Sequence, residues 1–159
     1  MKLTALAAII ALQLGTAPIA LAQLSPAEQK MTAIVDSEGD KNLKLLENLV
    51  NENSGTLHLA GVEKVGQMVR AELEALGFRV RWDPMTEVGR AGHLIAERQG
   101  KKGRKKLLLI GHLDTVFEPS SPFQRFELQG DWAAGPGVGD DKGGIVVMLS
   151  ALRAMQAAD

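Results

Sequence analysis

The sequence contains no cysteine. Disulfide bonds, a thiolate nucleophile, cysteine metal sites and lipid attachment through cysteine are therefore excluded. Excess positive charge is also lacking, since 18 lysines and arginines stand against 19 aspartates and glutamates, for a formal net charge of −1. Nucleic acid is not expected as a partner, because binding to phosphates requires clustered basic side chains. The sequence shows no internal repeats and no low-complexity tracts.

No apolar run is long enough to span a bilayer, which takes about 20 residues. The run from residue 3 to residue 14 follows Lys2 and precedes Ala20-Leu21-Ala22. A positive start, an apolar stretch and a small-x-small motif are typical of a signal peptide, and a core helix rarely has these flanks. We expect residues 1–22 to be removed, so that the mature chain begins at Gln23. The protein is then periplasmic or secreted, without a membrane anchor after cleavage.

Four helices are predicted in residues 23–159, which suffice for one domain. The first begins with Ser25 as N-cap, Pro26 at the first helical position and Glu28 at the third. The others carry apolar side chains at helical spacing, and one of them ends at Gly77, a typical left-handed cap. They cover residues 40–51, about 62–76, and 143 to about 157.

Strand patterns lie between these helices. Residues 78–82 alternate apolar and charged side chains, as half-buried strands do, and residues 93–97 form a second candidate. The uninterrupted apolar run 107–110 predicts a central strand covered on both faces. A hairpin is predicted around Gln129-Gly130, and the basic segment 100–106 is interpreted as a solvated turn. Helices flanking several strands indicate a three-layer α/β architecture.

His112 and Asp114 follow directly after the predicted central strand. Ligands of open α/β sheets collect beyond the carboxyl ends of such strands. Side chains two residues apart in an extended chain point to the same side, so the carboxylate can hold one imidazole nitrogen and leave the other for a metal. By itself the pattern is weak evidence for a metal site, and it favours a histidine with an ordinary structural role.

A glycine-rich loop opens into the last predicted helix: Gly135-Pro136-Gly137-Val138-Gly139-Asp140-Asp141-Lys142-Gly143-Gly144. Its two aspartates can serve as capping groups at the helix start or as metal ligands. A phosphate-binding loop is excluded, because the Gly-Lys-Ser/Thr ending is missing and two acids would repel phosphate.

Together the two segments resemble the M20 family of metallopeptidases. That family combines a strand ending in His-x-Asp-Thr-Val with a later Gly-x-Gly-x-x-Asp-Asp/Met-Lys-Gly motif, and 28 residues separate His112 from Asp140 here. Leu-Glu-Asn-Leu-Val at 46–50 and Ser-Gly-Thr at 54–56 are also similar to the start of these enzymes. The resemblance covers nearly all of residues 40–157. Gly-Pro-Gly behind a signal peptide is most similar to the glutamate carboxypeptidases of the family.

The resemblance implies residue roles. His112 and Asp140 would be metal ligands, with Asp140 bridging two Zn²⁺ ions, and the catalytic part of Asp114 would be to hold His112. Asp141 stands where many relatives have methionine, so the resemblance assigns it no ligand role. A cis peptide between Asp140 and Asp141 is also implied. His58 and His93 lie outside the motifs and are interpreted as structural, and Trp132 is predicted to pack beneath the glycine-rich loop.

The resemblance further implies the fold and the activity. Residues 23–159 would form the amino-terminal part of a zinc-exopeptidase-type α/β/α catalytic domain, incomplete at its C-terminus. The expected reaction releases a C-terminal, acidic amino acid from a small peptide or an N-acyl amino acid. The family's Glu-Glu pair and lid domain lie further downstream, so residues 1–159 alone are expected to be inactive, and the full-length protein is expected to be a homodimer. The alternatives are a deacylase of the acetylornithine or succinyl-diaminopimelate type, and a non-catalytic truncated product or binding module.

Overall fold

The computed structural model describes residues 23–158 of the chain. Helices and strands occur together, which confirms the α/β class. The elements, in chain order, are α1 (Pro26–Ser37), α2 (Gly39–Asn51), α3 (Leu59–Ala75), β1 (Arg79–Met85), β2 (Arg90–Glu97), β3 (Glu127–Gln129), β4 (Trp132–Ala134) and α4 (Lys142–Ala158).

The helix boundaries agree with the sequence signals. At the start of α1 the Glu28 amide donates to Ser25 Oγ at 3.3 Å, and the Ser25 amide donates to Glu28 Oε2 at 2.7 Å. This is the reciprocal capping box that the sequence predicts. Gly77 follows α3 with a φ of 78°, as expected of a left-handed cap. Helix α3 begins three residues earlier than predicted, at Leu59.

Helix α4 is the centre of the packing, because α1 and α2 both lie against it. Its side chain Arg153 pairs with Glu38 at 2.6 Å and with Glu72 at 3.1 Å, which ties α4 to the neighbouring helices. Seven buried apolar side chains from α2, from α3 and its C-cap residue, and from α4 form one cluster: Leu49, Val65, Val69, Leu76, Ile145, Val146 and Leu149. The core therefore lies between helices, and it fixes the start of α4 in space.

Two antiparallel hairpins complete the described fold. Strands β1 and β2 pair from Arg79 opposite Glu97 to Met85 opposite Arg90, and they pack against α3. Strands β3 and β4 pair around the predicted turn at Gln129-Gly130. Each hairpin pairs only within itself among residues 23–158.

The predicted central strand at 107–110 was wrong for the described part of the chain. These residues are not in a strand, and their side chains are exposed: Leu107 74 %, Leu108 79 %, Leu109 44 % and Ile110 82 %. The nearest backbone pairing is the isolated parallel bridge between Gly55 and Thr115. A continuous apolar run indicates a tendency to be buried, but a strand forms only where a neighbouring backbone pairs with it. Within residues 23–158, no strand pairs with residues 107–110.

The predicted signal peptide, residues 1–22, lies outside the described residues, so cleavage and export stay predictions. From residue 23 to residue 158, no helix has the length and apolar character needed to cross a bilayer.

Candidate metal centre

Backbone pairing between two distant segments positions the predicted histidine. The Thr115 amide donates to Ser54 O at 2.8 Å, and the Thr56 amide donates to Thr115 O at 3.0 Å. Thr115 and Ser54 are buried, at 4 % and 1 % exposure. This pairing fixes the chain immediately after His112, and it brings the Ser-Gly-Thr segment at 54–56 beside it.

His112 lies between the two carboxylates that the sequence singled out. Its Nε2 atom is 2.9 Å from Asp140 Oδ1. Its Nδ1 atom is 3.0 Å from Asp114 O and 3.3 Å from Asp114 Oδ1. The structure thus brings His112, Asp114 and Asp140 together, although 28 residues separate the first from the last.

The electrostatics of this cluster favour a charged imidazole. The hydrogen bond with Asp140 is the largest effect, and it raises the pKa of His112 above its ordinary value. Partial burial opposes this shift, while the backbone carbonyl and the charge of Asp114 add to it. The imidazole side chain is 48 % exposed and that of Asp140 is 90 % exposed, so both can be reached from solvent.

The glycine-rich loop presents Asp140 at the start of α4. Gly137 has a φ of 83°, a conformation that glycine adopts without strain, and a Cβ there would lie 3.0 Å from the Lys142 side chain. The loop is closed by the Gly143 amide, which donates to Gly137 O at 3.2 Å. The peptide between Asp140 and Asp141 is cis, as the family resemblance implies.

Asp141 has a hydrogen-bond partner of its own. Its Oδ2 atom accepts a hydrogen bond from the His112 amide at 3.3 Å. The contact joins the start of α4 directly to the backbone of the histidine. In the described residues Asp141 therefore holds the two motifs together.

Lys142 anchors the glycine-rich loop to the end of α2. Its side chain is 0 % exposed, and Nζ donates to Leu49 O at 2.8 Å and to Glu52 O at 2.9 Å. These carbonyls belong to the C-terminal end of α2, where the helix leaves backbone acceptors without partners. Burial lowers the pKa of Lys142 to about 8, with the charge of Glu52 acting in the opposite direction. A buried lysine two residues after Asp140 thus ties the loop to the end of α2.

A cleft opens in front of the cluster, bounded by the loop and by the segment after Asp114. Phe117 and Phe123 lie on its wall with ring centroids 4.9 Å apart in an edge-to-face arrangement. Trp132, predicted to pack under the loop, is instead 80 % exposed on β4. That prediction was wrong, because β4 pairs only with the short strand β3 and its tryptophan faces solvent.

Two residues of the site, Thr56 and Lys142, were assigned no role from the sequence. Thr56 contacts Asp114, and Lys142 holds the glycine-rich loop in place. His58 is bonded to Asn53, with Nδ1 at 3.0 Å from Oδ1, and His93 is exposed on β2. The contact with Asn53 agrees with a structural interpretation of His58, and the structural interpretation of His93 stays a prediction.

The donor chemistry fits a metal ion of the zinc type. Imidazole nitrogen and carboxylate oxygen are ligands that zinc accepts, and both converge from solvent-accessible positions. Within residues 23–158, no group of three His, Asp or Glu side chains lies close enough to enclose an ion. The described residues therefore offer a pair of ligands, fewer than the three protein ligands typical of catalytic zinc.

Comparison with known proteins decides the relationship. The profile of peptidase family M20/M25/M40 matches residues 108–159, which include His112, Asp114 and Asp140. Carboxypeptidase G2 of Pseudomonas sp. (strain RS-16) is 34 % identical over 154 residues, which is 96 % of this chain. The family match and this similarity together support an M20-family, carboxypeptidase-like protein. It spans 36 % of the length of carboxypeptidase G2.

The family assignment and the geometry agree at the same residues. The M20 match begins at residue 108, four residues before the histidine, and it continues through the glycine-rich loop into α4. The segment that carries the M20 signature is thus the one in which the imidazole and the two carboxylates meet.

Proposed function

We propose that this M20-family chain contributes to the active site of a zinc-dependent hydrolase that releases a C-terminal, acidic amino acid. The observation that carries the proposal is the approach of His112 Nε2 to Asp140 Oδ1 at 2.9 Å on the rim of a cleft. Similarity to a protein named carboxypeptidase G2 supports the reaction class.

His112 and Asp140 would hold the zinc. When bound, the metal supplies a water of lowered pKa and polarises the scissile carbonyl. Asp114 holds His112 Nδ1 with its backbone carbonyl oxygen at 3.0 Å and its carboxylate Oδ1 at 3.3 Å, which would leave Nε2 for the metal. The Asp140 side chain is 90 % exposed, so its carboxylate would be reachable for a metal ion from solvent.

The cleft beside the proposed ligands favours a small substrate. Phe117 and Phe123 offer an apolar wall beside the proposed ligands. The walls come from the glycine-rich loop and the residues after Asp114, so a peptide or an N-acyl amino acid lying there would have its scissile bond near Asp140. A preference for an acidic leaving residue rests on the similarity to the glutamate carboxypeptidases.

A hydrolysis assay on the protein expressed from its full open reading frame tests the proposal. The substrates are a matched pair, an N-acyl glutamate and the corresponding N-acyl lysine, together with N-acetylornithine. We expect zinc-dependent release that is faster from the glutamate compound and that a chelator abolishes. Faster release from N-acetylornithine would favour the deacylase alternative, and no metal-dependent release from any substrate would contradict the proposal.

A further inference from the structure

Thr56 donates a short hydrogen bond to the carboxylate beside His112. Its Oγ1 atom lies 2.6 Å from Asp114 Oδ2, across a sequence separation of 58 residues. A hydroxyl that donates to an ionised carboxylate gives a distance of about 2.5–2.7 Å. The same hydroxyl is 3.2 Å from Thr115 O, so its single proton has the better acceptor in Asp114.

The two oxygens of Asp114 are used separately. Oδ2 accepts from Thr56, and Oδ1 lies 3.3 Å from His112 Nδ1. A carboxylate held at only one oxygen can rotate about its last side-chain bond, because that torsion is broad. The Thr56 hydrogen bond restricts this rotation and keeps Oδ1 beside His112 Nδ1, whose nearer partner is the backbone carbonyl oxygen of the same Asp114 at 3.0 Å.

We propose that Thr56 is a positioning residue of the candidate metal centre, whose hydroxyl orients Asp114 and through it His112. The inference rests on the proposed function for its consequence in zinc binding, but the hydrogen-bond chain itself exists without metal. The backbone of Thr56 is held independently of its side chain, by the hydrogen bond that its amide donates to Thr115 O at 3.0 Å. Removing the hydroxyl therefore alters the chain to His112 and leaves the backbone pairing in place.

Thr56→Val tests the role, because valine keeps the branched shape and lacks the hydroxyl. We expect the zinc affinity to fall about 10-fold, at the lower end of the 10- to 100-fold range for residues that orient a metal ligand. Thr56→Ser should restore it. Thr32→Val is the matched control, since Thr32 Oγ1 donates to Glu28 O within the exposed helix α1, and it should leave the zinc affinity unchanged.

A second readout uses the zinc-free protein. The ¹⁵N chemical shifts of the His112 imidazole report how each ring nitrogen is bonded. Thr56→Val should change the Nδ1 shift, while Thr56→Ser and Thr32→Val should reproduce the wild-type shift. Unchanged shifts in Thr56→Val, or an equal disturbance by valine and serine, would overturn the role of the hydroxyl.

These two readouts separate the inference from the proposed function. If the wild-type chain binds no zinc, the proposed function fails, and the shifts of His112 still decide whether Thr56 orients the imidazole. If zinc binds with equal affinity to wild type and Thr56→Val, the positioning role fails while the metal site stands.

Discussion

His112→Ala is expected to lower the zinc affinity of the chain by more than about 100-fold. Residues that only orient a ligand already change metal affinity by about 10- to 100-fold, so the loss of a ligand should exceed that range. His112 Nε2 is the only imidazole nitrogen that approaches Asp140 within residues 23–158. Asp140→Asn should also lower the zinc affinity, because it removes the negative charge and replaces one carboxylate oxygen that would bind the metal. Competition with a chromophoric zinc chelator measures the zinc affinity of both variants.

The chain offers matched controls for these substitutions. His93 is exposed on β2 and Asp131 is exposed beside the β3–β4 turn. His93→Ala and Asp131→Asn should leave the zinc affinity within about twofold of wild type. Zinc binding that survives His112→Ala and is lost in His93→Ala would place the site elsewhere.

Lys142→Ala is expected to lower the free energy of unfolding by about 3 kcal/mol at pH 7. The substitution leaves the carbonyls of Leu49 and Glu52 without their donor, at about 1–3 kcal/mol for each buried group, and it opens a cavity. Relief from burying a charge offsets part of the loss. Urea denaturation followed by circular dichroism measures the difference, and Lys30→Ala on the exposed face of α1 is the control.

The effect of Lys142→Ala should also depend on pH. Burial lowers the pKa of Lys142 in the folded chain to about 8, from an ordinary value of 10.5. Between these pH values the unfolded chain binds more protons, so wild-type stability rises with pH relative to the variant. The stability difference should therefore grow by up to about 3 kcal/mol from pH 8 to above pH 10.5. A difference below about 1 kcal/mol at every pH would contradict the anchoring role.

Local signals in the sequence were sufficient for the helices. The capping box at Ser25 and the cap at Gly77 depend on contacts within a few residues, and both occur as predicted. The β-hairpin at Gln129-Gly130 is equally local. Residues 107–110 differ, because a central strand needs partners from distant segments, and an apolar run does not specify those partners.

Some residues of the candidate site could likewise be predicted from the sequence, and others could not. His112, Asp114 and Asp140 were found because their motifs combine chemistry with spacing, and the structure brings them within hydrogen-bonding distance. Lys142 and Thr56 were not assigned roles. Their contacts join positions 93 and 58 residues apart, and neither residue type alone signals a buried anchor or an orienting hydroxyl.

The most direct test of the metal centre is an anomalous difference map from crystals of the chain grown with zinc. The proposed site predicts a zinc peak about 2.0–2.2 Å from His112 Nε2 and from an oxygen of Asp140. Asp114 should remain on the Nδ1 side of the imidazole. Zinc bound at other residues, with His112 Nε2 still hydrogen-bonded to Asp140 and no metal beside them, would contradict the assignment.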